Sequence, residues 1–279
     1  MEQHYLFNGK PIPAGEPAVG PDNRGLRYGD GLFETIRLYK GRLQLAEAHM
    51  QRLMRGMEVL GFRMPPDWSI RKWQEDCLSL ARRNGHPEQA RVRINVISGD
   101  GGLYDPADHL PRVLVQTWPL PSVSGQWNQN GLVLGFCTGV RKSCDMLANL
   151  KHNNYLGYVL AARQAAEQHW NDALVLNTEG GICDSTLANI FLVRDGRVVT
   201  PSLSEGGVAG IMRAQLIAHL NSRGLPVSEE RVLPSDLLQA DEVFVTNSIH
   251  PIRWVQTIGN RDYRAEFGFR LFQEFMPTI

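Results

Sequence analysis

The sequence predicts an α/β protein in two domains, an α+β N-terminal domain followed by an α/β C-terminal one. Three observations predict it. Short runs of strand character alternate with segments in which apolar residues recur at helical spacing. "DALVLN" (172–177) is a strand of nearly continuous apolar character that follows a helical segment, the order of sheet-and-helix layers rather than of a bundle. Finally, "WPLPSVSGQWNQN" (118–130) sets two prolines and several small or polar residues between apolar runs, which is the composition of a linker. The predicted domains are therefore 1–117 and 131–279, joined by 118–130.

Each element has its own signal. "HYLFNG" opens with a strand, and "LFETIRLYKGRLQL" is a hairpin turned at Lys40-Gly41. From Leu45 to Leu60 the residues Met50, Leu53, Met54, Met57 and Leu60 mark a helix, with Gly61 where a left-handed cap belongs. A second helix, Trp68 to Asn84, ends in the same way at Gly85. "ARVRINVIS" and "PRVLVQTWP" are strands flanking the Gly-rich turn "GDGGLYDP". Beyond the linker, "GLVLGF" is a strand and "NLKHNNYLGYVLAARQAAE" (149–167) a helix preceded by Lys151. "NIFLVRDGRVVTP" is a hairpin whose Asp195-Gly196 pair suits a type I′ turn. "GIMRAQLIAHLNSRG" is a helix between Gly210 and Gly224, "DEVFVTNS" a strand, and "YRAEFGFRLFQEFM" a C-terminal helix.

Composition narrows the function. The chain has 279 residues, 43% hydrophobic and 21% charged, enough to bury a real core. Its 29 basic and 29 acidic residues cancel, and no basic stripe interleaved with aromatics is present, so nucleic acid is not an expected partner. No window approaches the roughly 18 apolar residues of a membrane span, and "MEQHYLFNGK" lacks the pattern of a signal peptide. A cytoplasmic protein is expected. Cys77, Cys137, Cys144 and Cys183 form no C-x-x-C pair, so no metal site is expected and buried, inert thiols are.

Lys151 stands out. A lysine is ordinarily a solvated surface group, but the positive end of a helix is a poor place for one on stability grounds. An amine in a partly buried, electropositive setting becomes a free nucleophile able to form a Schiff base with an aldehyde. That is the chemistry of a pyridoxal phosphate enzyme, which also needs a carboxylate at the pyridine nitrogen and amides and an arginine for the phosphate. Asp184, in "GGICDSTLANIFLV", is a candidate carboxylate, although a turn-forming aspartate beside Ser185 and Thr186 is the ordinary reading of such a residue. "GVAGIMR" sets glycines before a helix whose first amides, of Ile211 and Met212, suit a phosphate.

The blocks "DNRGLRYGDGLFETIRLYKGRLQLAEAHMQRL", "KHNNYLGYVLAARQAAE", "GGICDSTLANIFLVRDGRVVTP", "GVAGIMR" and "ADEVFVTNS" resemble, in order and spacing over residues 4–255, the class IV aminotransferases, the fold-type-IV pyridoxal phosphate enzymes. The family includes branched-chain and D-amino acid aminotransferases and aminodeoxychorismate lyases. The resemblance implies two α/β domains with the cofactor between them, and a homodimer. It makes Lys151 the Schiff-base lysine and proton shuttle, and Tyr155, placed by the helix reading on the same face, the partner of the cofactor's phenolic oxygen. Arg52 is implied as the phosphate arginine, Ile211 and Met212 as phosphate-binding amides, and Ser248 as a hydroxyl donor to the same group. Asp184 is implied as the partner of the pyridine nitrogen, with Thr186 and Asn189 in the stretch that shapes the cofactor's turn. Phe33 and Glu34 fall on the substrate-facing strand, where Glu34 is alternatively a structural residue, and Arg91 and Arg93, both on one side of their strand, suit a substrate carboxylate.

The departures are informative. Asp184 stands where the family has Glu, which shortens the reach by about 1.5 Å, one C–C bond. Met212 replaces a threonine hydroxyl, Asn23 replaces an aspartate, and the turn "SGDGGLYDP" lacks the arginine and histidine of D-amino acid aminotransferases, with Leu103 where the lyases carry arginine. The resemblance implies an aminotransferase, passing an amino group from an amino acid to a 2-oxo acid. The alternatives are a 4-amino-4-deoxychorismate lyase, releasing pyruvate and 4-aminobenzoate, and an inactive binding protein of the same fold.

Overall fold

A computed structural model describes residues 2–66, 68–105 and 107–279. The chain forms two compact units: residues up to Ser122 together with Lys151–Asn154, and Val123–Leu150 together with Tyr155–Ile279.

The first unit is a six-stranded antiparallel sheet in the order β2-β1-β6-β5-β3-β4. Its strands are β1 (His4–Phe7), β2 (Lys10–Pro13), β3 (Gly31–Tyr39), β4 (Arg42–Leu43), β5 (Gln89–Ile97) and β6 (Arg112–Pro119), with helices α1 (Arg24–Tyr28), α2 (Ala46–Val59) and α3 (Ile70–Arg83). Side chains alternate across β3 and β5. Leu32, Ile36, Leu38, Val92, Ile94 and Val96 are buried, each contributing about 2 kcal/mol of burial. The opposite face takes Phe33, Thr35, Arg37, Arg91, Arg93 and Asn95, because directly paired residues share a face and Phe33 pairs Asn95, Thr35 pairs Arg93 and Arg37 pairs Arg91. Lys40 and Gly41 both take positive φ, the two-residue hairpin turn expected from the sequence. The α3 helix begins two residues later than predicted, where the Ser69 hydroxyl caps the Lys72 amide.

The second unit holds two five-stranded sheets, ordered β12-β11-β10-β13-β14 and β16-β15-β7-β8-β9. Its strands are β7 (Val133–Phe136), β8 (Asp172–Leu176), β9 (Ile182–Ser185), β10 (Asn189–Arg194), β11 (Arg197–Pro201), β12 (Val227–Glu230), β13 (Glu242–Thr246), β14 (Arg253–Trp254), β15 (Thr257–Ile258) and β16 (Arg261–Asp262). Helices α4 (Leu156–Glu167), α5 (Ile211–Ser222), α6 (Pro234–Gln239) and α7 (Glu266–Phe275) complete it. A core of Leu134, Leu174, Ile182, Ile190, Val243 and Val245 joins the strands. Trp127 stacks edge-on against Phe269, and Asn128 exchanges hydrogen bonds with Trp254, so this end of the 118–130 stretch is bonded into the second unit.

Two expectations are corrected. Residues 149–155 are not helical: α4 begins at Leu156, so Lys151 is five residues short of it and the helix dipole does not act there. The backbone of 151–154 instead extends the start of β3, with Phe33 N donating to Lys151 O at 2.8 Å, Asn153 N to Gly31 O at 2.9 Å, and Leu32 bridging His152. Lys151–Asn154 are part of the first compact unit. Gly31 permits it, since a Cβ there would stand 2.2 Å from Val96 O and 2.8 Å from Asn153 Nδ2. Among the cysteines, Cys77, Cys137 and Cys183 are buried, but Cys144 is exposed. Burial, reinforced by Asp76, pushes the Cys77 thiol up to about 12.

Candidate active site

In the first unit the polar face of the sheet gathers around Phe33. Lys151 Nζ lies 4.5 Å from the Phe33 ring centroid, and the Arg93 guanidinium carbon 3.9 Å from the same centroid. One aromatic ring thus carries two cations, each gaining from the ring's negative faces. The electropositive surroundings expected of Lys151 come from Arg93 and not from a helix end. Arg93 Nε also donates to Asn95 Oδ1 at 3.2 Å, which fixes its fork, and Arg91 stacks on Trp118 at 4.6 Å.

Glu34 points to the other face. Arg52 donates to both of its carboxylate oxygens, at 2.7 and 2.5 Å, and His49 Nδ1 lies 2.7 Å from Oε2. Burial alone would raise the Glu34 carboxyl, but the Arg52 charge and the His49 contact outweigh it and hold the group at about 2. Glu34 is thus the brace of Arg52, the structural alternative for that residue. Arg52 is held bidentately with its side chain 9% exposed, so its guanidinium has a set orientation.

In the second unit Asp184, on β9, is 2% exposed. Its carboxylate accepts from the Tyr158 hydroxyl at 2.9 and 2.8 Å and from Val208 N at 2.9 Å, with Lys142 Nζ 3.6 Å from Oδ2. Burial and then the Asp184 charge push the Tyr158 phenol well above its usual value, so it stays a donor. Tyr155 is the residue before α4, its ring 4.8 Å from that of Tyr158. It does not share a helical face with Lys151, because Lys151 is in extended chain.

The start of α5 has no side-chain cap. Gly210 precedes it, and a Cβ there would fall 1.9 Å from Asn189 Oδ1 while Asn189 Nδ2 donates to Val208 O at 2.8 Å. Asn189 and Gly210 together therefore press the 208–210 backbone against β10 and leave the Ile211 and Met212 amides at an uncapped, positive helix end. Met212 is 3% exposed and is part of the buried hydrophobic core. Thr186 uses its hydroxyl on Asp172 at 2.5 Å, and Ser185 does the same at 2.7 Å. Ser248 sits half-buried in the loop after β13, where Asn247 accepts from the Ile249 and His250 amides. Asn23, the departure from aspartate, caps α1 through Oδ1 and donates through Nδ2 to Ser98 O and Asp100 Oδ1, two bonds a carboxylate cannot make.

Lys142, Tyr158 and Asn149 are missing from the sequence-based set. Asn149 Nδ2 donates to Leu203 O and Gly207 O, and Asn149 O accepts from Ala209 N, pinning the loop whose Val208 amide reaches Asp184. Only a tyrosine on an otherwise apolar helix segment, whose hydroxyl needs a partner once buried, offered a signal in the sequence.

Comparison with known proteins gives the family. The class IV amino-transferase family model matches residues 31–258. An aminodeoxychorismate lyase of Vibrio harveyi is 32% identical over 269 residues, 94% of this chain and 94% of that protein. The crystal structure of a 4-amino-4-deoxychorismate lyase from Pseudomonas aeruginosa superimposes with a TM-score of 0.84 at 29% identity, covering 99% of each chain. A branched-chain amino acid aminotransferase of T.th., complexed with N-(5′-phosphopyridoxyl)-L-glutamate, superimposes with a TM-score of 0.87 at 25% identity, over 99% of this chain and 93% of that one. The two mixed α/β units have the fold of the fold-type-IV enzymes. The chain belongs to the class IV amino-transferase family and is an enzyme of that kind.

Proposed function

We propose that the chain binds pyridoxal 5′-phosphate through Lys151 and acts as a 4-amino-4-deoxychorismate lyase. The observation behind it is the Phe33 ring shared by Lys151 and Arg93: an amine beside an anion-binding fork, with Arg91 two residues along the same strand face. Bound pyridoxal phosphate supplies an aldehyde for amine exchange and a ring that withdraws electrons from the substrate carbon. The residues fit such a group by charge: the chain offers an amine, a braced guanidinium, a buried carboxylate and an uncapped helix start.

Each residue then has a task. Arg52, the Ile211 and Met212 amides and the Ser248 hydroxyl bind phosphate. Asp184 holds a proton on the ring nitrogen, and Tyr155 donates to the phenolic oxygen. Asn189 and Thr186 keep the surrounding backbone in place, the first through Val208 and the second through Asp172. Lys151 Nζ would hold the cofactor's aldehyde and would take a proton from the substrate. Arg93 takes a substrate carboxylate beside Phe33, and Arg91, held on Trp118 further along the strand, takes a second.

The lyase is preferred over the aminotransferase expected from the resemblance because two arginines on one face suit a substrate with two carboxylates, a preference supported by likeness to lyases at 32% and 29% identity. The second reading, amino-group transfer, is supported by likeness to the branched-chain enzyme. One panel separates them. Aminodeoxychorismate converted to pyruvate and 4-aminobenzoate with no 2-oxo acid present supports the lyase. Turnover only of L-leucine, L-glutamate or D-alanine, and only with an acceptor, rejects it for the transferase; no turnover of any compound rejects both. The proposed enzyme works as a homodimer, supported by the exposed Leu156, Val159 and Leu160 on α4, and in the cytoplasm, which suits its free cysteines.

A further inference from the structure

The Asp184 carboxylate is braced by two groups with no task in the reaction above. Lys142, between β7 and α4, is anchored beside β8 by its amide donating to Leu176 O and its carbonyl accepting from Thr178 N. Its Nζ donates to the Tyr158 hydroxyl at 2.5 Å and lies 3.6 Å from Asp184 Oδ2, while Tyr158 donates to both Asp184 oxygens. The hydrogen bonds run one way, from ammonium through phenol to carboxylate. All three groups are sheltered: the Lys142 and Asp184 side chains are 16% and 3% exposed, and Tyr158 is buried. Withdrawing two ionised groups from water is unfavourable unless both are paired, and apolar side chains of equal volume would stabilise such a site at least as well. Stability alone therefore does not select this cluster.

The shorter acid explains it. An aspartate has less reach than a glutamate and is tied closer to its backbone, so its direction is set by what it meets at the root of the pocket. Here the Val208 amide and the Tyr158 hydroxyl fix the carboxylate, and a cation stands behind them. We propose that Lys142, acting through Tyr158, is a positioning residue that keeps Asp184 ionised and aimed. A cation nearer to the carboxylate than to the group paired on its far side favours the charge-separated form of that pair.

The inference rests on Asp184 serving the ring nitrogen, and the experiment separates the two claims. Holoenzyme is reconstituted with pyridoxal phosphate isotopically labelled at the ring nitrogen, and its nuclear magnetic resonance signal reports protonation directly. Lys142→Met is expected to move the signal part-way toward the unprotonated position and to lower kcat with little change in KM, Lys142→Arg to restore both, and Tyr158→Phe to behave like Lys142→Met. Asp184→Asn is expected to move the signal furthest. An unmoved signal in folded Lys142→Met and Tyr158→Phe, with Asp184→Asn shifted, overturns the relay alone. An unmoved signal in Asp184→Asn overturns the assignment of Asp184 and the relay with it. Should Lys142→Met fail to fold, Tyr158→Phe and Lys142→Arg decide the matter by the same signal.

Discussion

Glu34 makes the clearest prediction at the scale of single residues. Its carboxyl is held at about 2 in the fold against 4.5 when free, so its contribution is fully present above 4.5 and is lost as the pH falls toward 2. Glu34→Gln is expected to flatten the acid limb of the stability profile and, by leaving Arg52 without its anionic partner, to cost about 3 kcal/mol at neutral pH. Chemical denaturation across pH measures both. The family is legible at this scale: the blocks that carry Lys151, Arg52 and Asp184 have a recognisable spacing, and the family model matches residues 31–258. Lys142 and Tyr158 are not, because the contact of Lys142 with Asp184 spans 42 positions (184 − 142) and is made only by folding. The positive surroundings of Lys151 are equally hidden, since they come from Arg93 across a strand and not from the end of a helix.

Elements are legible where their punctuation is local. The Lys40-Gly41 and Asp195-Gly196 turns and the glycines after α2 and α3 leave unmistakable signals, and all take positive φ. The start of α4 differs from the sequence reading because residues 151–154 are claimed by the edge of β3, a backbone pairing that no local propensity announces. The five-residue α1 escapes a periodicity search through its brevity, though Asn23, noted only as a departure, is its cap. The start of α5 gives this scale its prediction. Gly210→Ala forces a Cβ onto Asn189 Oδ1 and displaces the Ile211 and Met212 amides. It is expected to raise the dissociation constant of pyridoxal phosphate by about tenfold, or about 1.4 kcal/mol. Ser69→Ala, which removes the cap of α3, is expected to cost about 1 kcal/mol of stability and to leave cofactor binding unchanged. Equilibrium dialysis and thermal melts distinguish the two.

For the whole molecule, the association state is the outstanding prediction. Leu156, Val159 and Leu160 recur at helical spacing on α4 and are 70%, 51% and 43% exposed, an apolar stripe that a lone chain would leave in water. The protein is expected to sediment as a dimer, and Val159→Asp, which a solvated site would accept without loss of fold, to release monomers. A monomeric parent protein would remove that part of the proposal. Nothing in the sequence distinguishes this stripe from a core-facing one, because helical period alone does not say which face is covered. The central claim concerns one amine, and one measurement reaches it most directly: borohydride reduction of the holoprotein followed by peptide mapping in the mass spectrometer. A single phosphopyridoxyl group on Lys151, absent in Lys151→Ala, is expected. An adduct on Lys142, whose amine lies 3.6 Å from Asp184, or no adduct at all, would contradict it.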